Sequence, residues 1–166
     1  MLHKAHYLIA SIIYLIIPDI SLALDVNITS DLPSVQVLHN GQKVTIMRNQ
    51  DQDNTINPVY AKTSRICPPF CIQPIELAPG VRTIGELEML QYLQKRSSGD
   101  KSVLVIDSRT SNLVAKGTIP GSINILTDSL DNNLTDPAAV REILIKQFGG
   151  VYRNEKWDFT KARTLV

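Results

Sequence analysis

The chain has few of the side chains that most often carry chemistry. Its 166 residues include two cysteines and three histidines, and aromatic residues make up only 5%. Charges of the two signs nearly balance at a formal net charge of +1, which indicates neither a nucleic-acid partner nor an acidic membrane surface. A metal site would have to combine His39, Cys67, Cys71 and carboxylates, and their spacing does not suggest one. We therefore expect no metal and no cofactor.

The N-terminus has the three-part pattern of a secretory signal peptide. A single cation precedes an apolar run from Tyr7 to Ile17, and a proline ends the run. Ser21 and Ala23 then supply the small residues of a cleavage site. The apolar run is shorter than the roughly 20 residues of a spanning helix. The pattern thus favours a signal peptide over residues 1–23, ahead of an uncleaved membrane anchor or a buried helix. We expect an exported protein, periplasmic or secreted, without a membrane segment after cleavage.

Residues 24–80 are expected to form an extension in front of the main domain. Alternating apolar residues flank Asn40-Gly41, and this dipeptide favours the two-residue turn of a β-hairpin. We place this hairpin outside the main domain. Four prolines lie between Ser64 and Gly80, which excludes a regular helix or a central strand there. The segment is therefore predicted to be an extended connector that carries both cysteines.

Helices and strands alternate from residue 81 onward. Thr83 and Glu86 are spaced as a capping box, which predicts a helix from Ile84 to Arg96. The continuous apolar run from Val103 to Ile106 predicts a strand buried on both faces, as in a parallel sheet. A second short apolar run covers Ser122 to Ile125.

The C-terminal part of the sequence continues the alternation. Asp136 and Pro137 suit the N-cap and first position of another helix, and Gly149 suits its left-handed end. The apolar face of that helix is assigned to Val140, Ile143, Leu144 and Phe148. A last apolar run begins at Ala162. This order predicts an α/β fold with a parallel sheet.

The most informative stretch, residues 103–125, reads VLVIDSRTSNLVAKGTIPGSINI. It joins a buried strand, an Asp-x-Arg, a short helical turn and a Gly-x-Ile-Pro-Gly-x-x-Asn-Ile string. In this order the stretch resembles the first half of rhodanese-like domains. The matching positions are Asp107, Arg109, Gly117, Ile119, Pro120, Gly121, Asn124 and Ile125. The chain departs from the family pattern at Thr118, where His is usual, and at Ser122, where Ala is usual.

The resemblance implies that residues 81–166 form the N-terminal part of a rhodanese-like domain, a partial parallel sheet with flanking helices. It implies a relation to sulfurtransferases, which act on a small sulfur-containing substrate or a thiol acceptor. The family's nucleophilic cysteine lies in a loop after a later strand, and residues 163–166 resemble the opening of that strand. We therefore expect a truncated chain, inactive by itself. The alternative is a non-catalytic rhodanese-like binding or regulatory module in the periplasm.

The resemblance assigns no nucleophile to this sequence. Asp107 and Arg109 match the family motif, and their expected role is an ion pair that braces the sheet edge. A direct catalytic role for these two residues is the alternative.

Cys67 and Cys71 form a C-x3-C pair upstream of the family's motif. In an oxidising compartment the pair is expected to form a disulfide, provided that the Cα atoms lie about 4.4–6.8 Å apart. Reduced structural thiols, a redox-active or sulfur-relay pair, and a metal site are the alternatives.

Overall fold

The protein is described by a computed structural model that covers residues 25–53, 55–79 and 82–166. The predicted signal peptide, residues 1–23, lies outside the described residues. Within them, no helix has the length and apolar character needed to cross a membrane. Along the chain the elements are β1 (Ser34–His39), β2 (Gln42–Met47), a 3-10 segment (Pro58–Ser64), α1 (Glu86–Ser97), β3 (Val103–Leu104), β4 (Ile106–Asp107), α2 (Ser111–Val114), β5 (Ile123–Asn124), a 3-10 turn (Thr127–Leu130), α3 (Pro137–Lys146), β6 (Val151–Arg153), β7 (Lys156–Asp158) and β8 (Thr164–Leu165). The broad α/β class predicted from the sequence is confirmed, and the strands form four two-stranded sheets among the described residues.

The predicted hairpin around Asn40-Gly41 is confirmed. Strands β1 and β2 pair antiparallel, with His39 opposite Gln42. Asn40 and Gly41 have φ angles of 50° and 79°, the two positive values that a type I′ turn requires. Glycine adopts this conformation without steric cost, so the sequence of the turn sets the register of the hairpin.

The expectation that the hairpin lies outside the main domain is wrong. Val35 and Val37 of β1 are fully buried and share one apolar cluster with Leu93 of α1 and with Val103 and Val105. Two long-range hydrogen bonds fix the contact. The Leu38 amide donates to the Ser97 hydroxyl at 2.9 Å, and the Gly121 amide donates to His39 Nδ1 at 3.1 Å. Apolar side chains that alternate along a strand need a surface to bury them, and α1 provides it.

The predicted capping box is also wrong. Helix α1 begins at Glu86, with Gly85 as its N-cap, and the Glu88 carboxylate accepts from the Gly85 amide at 3.0 Å. The Thr83 hydroxyl does not cap the helix; it bonds to the backbone of Ile75. The proline-rich connector passes close to this helix end, since the Glu86 amide donates to the Ile72 carbonyl at 2.8 Å. The competing contact with the connector therefore moves the helix start by two residues.

The chain from Val103 to Asp107 has parallel partners on both sides. Strand β4 pairs parallel with β5, and β3 pairs parallel with β8. Leu104 packs in a second apolar cluster with Ile125 and Phe148, whereas its neighbours Val103 and Val105 face the first cluster. Burial of alternate residues on opposite sides confirms the prediction of a strand covered on both faces.

The C-terminal elements confirm one prediction and add a hairpin that was not predicted. The Asp136 carboxylate accepts from the Ala138 amide at 3.1 Å and caps α3, and Gly149 takes a φ of 80° after the helix. Strands β6 and β7 then form a hairpin across Asn154 and Glu155, both at positive φ.

Candidate functional site

A cleft of about 760 Å³ opens where the strand formed by β3 and β4 ends. Apolar side chains of α1 (Met89, Leu90, Leu93) form one side of it, and the loop of residues 117–122 lies on the other side. Ser108 and Arg109 also contribute polar groups to the lining. In open α/β sheets, ligands bind at the carboxyl ends of the strands, so this position is the natural candidate for a binding site.

Asp107 and Arg109 form the ion pair expected for them. The Asp107 carboxylate accepts from Arg109 Nε at 2.9 Å and from Arg109 Nη2 at 2.6 Å. Arg109 Nη2 also donates to the Gly117 carbonyl at 2.7 Å. The Asp107 side chain is 10% exposed and that of Arg109 is 48% exposed. The pair therefore connects the end of β4 to the loop of residues 117–122. About half of the Arg109 side chain remains exposed to solvent.

The charge state of this pair is fixed by its hydrogen bonds. The Arg109 guanidinium, followed by the Thr118 hydroxyl, holds the pKa of Asp107 well below its ordinary range. The Asp107 carboxylate in turn raises the pKa of Arg109. Asp107 is therefore ionised throughout the physiological range. Such a carboxylate is a poor general base, because a catalytic base needs a pKa near the working pH.

The loop that closes the cleft is a tight turn with the predicted chemistry. Pro120 and Gly121 occupy its middle, the Ser122 amide donates to the Ile119 carbonyl at 3.1 Å, and Gly121 has a φ of 91°. These features match a type II turn. Gly117 also takes a positive φ, of 146°.

Asn124, in β5, is hydrogen-bonded to the end of β4 and to the residues that follow it. Its side-chain amide donates to the carbonyls of Asp107 and Arg109, each at 2.8 Å. The motif positions Asp107, Arg109, Gly117 and Asn124 are thus linked by hydrogen bonds, and Ile119 lies at the mouth of the cleft, 45% exposed.

Sequence reasoning missed the role of the two motif departures. The Thr118 hydroxyl donates to Asp107 Oδ2 at 2.7 Å, and the Thr118 and Ser122 hydroxyls lie 2.9 Å apart. The two residues that differ from the rhodanese-like pattern therefore contact each other, and Thr118 bonds directly to the half-buried Asp107. Their separation of four residues across a Pro-Gly turn was the available signal.

Cys67 and Cys71 form a disulfide, as predicted, with Cα atoms 5.3 Å apart. Neither cysteine lines the cleft. They are the only cysteines in the sequence, so the oxidised protein has no free thiol. Within the described part of the chain, no group of three or more His, Cys, Asp or Glu side chains is arranged to hold a metal ion.

Comparison of the chain with protein-family models, with curated proteins and with solved structures gives no match.

Proposed function

We propose that the chain is an exported rhodanese-like protein, related to sulfurtransferases, whose cleft binds a small sulfur-containing anion or a thiol acceptor. The observation that carries this proposal is the linked set of Asp107, Arg109, Gly117 and Asn124 at the end of a buried parallel strand. These residues are among those on which the resemblance rests; Asp107, Arg109 and Gly117 line the cleft, and Asn124 supports it through hydrogen bonds to the carbonyls of Asp107 and Arg109.

The cleft has the chemistry for such a ligand. Its sides are mostly apolar, which suits the polarisable sulfur atom of the ligand, while the half-exposed Arg109 guanidinium and the Ser108 hydroxyl are donors for an oxyanion. Sulfur transfer itself needs a nucleophilic thiolate. Both cysteines are in the disulfide, so we propose that this chain binds the ligand without transferring sulfur.

Calorimetric titration with thiosulfate tests the binding proposal. We expect saturable binding to the wild-type chain that is weakened at least about 5-fold by Ile119→Glu, since the new carboxylate at the mouth repels an anion. Leu134→Glu is the control, because Leu134 is also an exposed apolar residue, 66% exposed against 45% for Ile119, but does not line the cleft. Absence of binding, or equal weakening by both variants, would refute a cleft ligand of this class.

A non-catalytic binding or regulatory module is the second candidate. It is favoured by the Asp107–Arg109 pair, whose hydrogen bonds are directed at each other and at the loop. The thiosulfate titration separates the two candidates, because a module without a small-molecule site should not bind thiosulfate. A thiosulfate-to-cyanide assay of the 166-residue chain should read zero for both, and measurable turnover would refute both.

Export is proposed on the N-terminal pattern and on the disulfide, which is a feature of oxidising compartments. We expect the exported protein to begin at Leu24, as read by intact mass. A chain that retains Met1 would contradict cleavage after Ala23.

A further inference from the structure

The disulfide lies beside a second pocket. The linings of this pocket and of the candidate cleft have one residue in common. This pocket has a volume of about 490 Å³, and its lining includes Cys71, Lys62, Phe70 and Arg48. Glu86 is shared between the two lining sets.

The two sulfur-bearing residues differ in accessibility. Cys67 is 2% exposed, and its amide donates to the Ile28 carbonyl at 2.8 Å. Cys71 is only partly buried, and its sulfur accepts from Gln73 Nε2 at 2.9 Å. A thiolate from solution can therefore approach Cys71 but not Cys67. The Gln73 amide is also placed to stabilise a thiolate on Cys71, because a hydrogen bond to an anion is stronger than one to a neutral sulfur.

The pocket wall is cationic. Arg48 is 6% exposed, with Nη1 3.1 Å from the Glu86 carboxylate and Nη2 donating to the Phe70 carbonyl at 3.1 Å. Its Nε is buried and has no hydrogen-bond partner among the described residues. Lys62 is exposed, and within the described chain it forms no ion pair. Two cations against one carboxylate, together with an unused buried donor, favour an anionic occupant.

We propose that the Cys67–Cys71 disulfide is a thiol-exchange site for a small anionic thiol, with Cys71 as the sulfur that is attacked. The thiolate forms a bond to Cys71 Sγ, the Cys67–Cys71 bond breaks, and its electron pair passes to the Cys67 sulfur, which takes a proton from water. A second thiolate attacks the bound thiol's sulfur and releases Cys71 as a thiolate next to Gln73. Two thiols are oxidised to one disulfide, and the protein disulfide is reduced to two thiols. This inference does not depend on any ligand in the cleft.

The test compares three thiols of different charge on the whole oxidised chain: 2-mercaptoethanesulfonate, 2-mercaptoethanol and cysteamine. The rate at which the Cys67 thiol is released is divided by the thiolate concentration of each reagent. We expect the sulfonate to react about 3- to 10-fold faster than the neutral thiol at low salt, and cysteamine more slowly. The preference should shrink at about 0.5 M salt, where exposed charges are screened.

Lys62→Gln is the informative variant, because Lys62 is exposed and its replacement leaves the core intact. It should remove most of the sulfonate preference and lower the rate with 2-mercaptoethanol by a smaller factor, because the sulfonate reagent attacks as a doubly charged anion and 2-mercaptoethanol as a singly charged one. Lys43→Gln, an exposed cation of β2 that does not line the pocket, is the matched control and should behave as the wild type. Peptide mapping after alkylation should find the mixed disulfide on Cys71. Equal rates for the three thiols, a preference that survives Lys62→Gln, or an adduct on Cys67 would overturn the proposal.

Discussion

Gly121 lies at the contact between the cleft turn, α1 and the β1–β2 hairpin, so its substitution by alanine probes all three. Its φ of 91° lies in the left-handed region, which costs a non-glycine residue about 1–2 kcal/mol. A Cβ atom added here would lie 3.1 Å from Leu93 Cδ2 and 3.5 Å from the Leu38 carbonyl oxygen. Leu93 is 1% exposed in the main apolar cluster, so it has little room to move away.

We expect Gly121→Ala to lower the free energy of unfolding by about 2–5 kcal/mol, the sum of the backbone cost of about 1–2 kcal/mol and an overpacking cost of about 1–3 kcal/mol. Gly41→Ala is the matched control. Gly41 also has a positive φ, of 79°, but nothing lies within 4 Å of its added Cβ. The free energy of unfolding of Gly41→Ala should therefore fall only by the backbone cost of about 1–2 kcal/mol. Urea unfolding followed by circular dichroism measures both variants.

A double-mutant cycle separates the overpacking cost of Gly121→Ala from its backbone cost. Leu93→Ala alone should cost about 2–5 kcal/mol through loss of buried volume. Combined with Gly121→Ala, the total should be smaller than the sum of the two single losses, because the shortened side chain leaves room for the new methyl. Equal losses in Gly121→Ala and Gly41→Ala, together with strict additivity in the cycle, would refute the packing described for this turn.

Three further predictions concern Asp107, His39 and the disulfide. Asp107→Asn should be less stable than the wild type at pH 7, and the gap should narrow below about pH 4. The pKa of Asp107 is depressed in the folded state, so its stabilisation is present above the ordinary aspartate pKa and is lost as the pH falls toward the folded pKa; a gap in the urea midpoints that stays constant from pH 7 to pH 3 would contradict this. His39→Ala removes the acceptor for the buried Gly121 amide and should cost about 1–3 kcal/mol, while Gln42→Ala beside it should be nearly neutral; similar urea midpoints for the two variants would refute the contact. Thiol titration of the native, unreduced chain should find no free thiol, and two alkylated thiols would rule out the disulfide.

Local structure was predictable where neighbouring residues determine it. Asn40-Gly41 specified a hairpin turn, and Asp136 with Pro137 specified the start of α3, because in both cases the favourable contacts lie within a few residues. The strand from Val103 was predictable because a fully apolar run needs cover on both faces.

The predictions failed where long-range contacts decided the outcome. Thr83 was spaced to cap α1 but bonds to Ile75 instead. The hairpin packs on α1 through contacts such as His39 with Gly121, which lie 82 positions apart in sequence. The β6–β7 hairpin was missed because its strands have three residues each and its turn lacks glycine. Periodicity and turn propensity carry no information about such partners.

The candidate site was predictable as a set of residues but not as a geometry. The string from Asp107 to Asn124 indicated which side chains belong together. It did not reveal that Thr118 and Ser122 contact each other, nor that Met89 and Leu93 of α1 form the apolar side of the cleft.

Amide NMR during a thiosulfate titration shows whether the cleft at the end of the buried parallel strand binds the proposed ligand. We expect saturable shifts of the amides of Ser108, Arg109, residues 117–119, Gly121 and Ser122, with those of the β6–β7 hairpin unchanged. Shifts confined to other surfaces, or no shifts at millimolar thiosulfate, would contradict it.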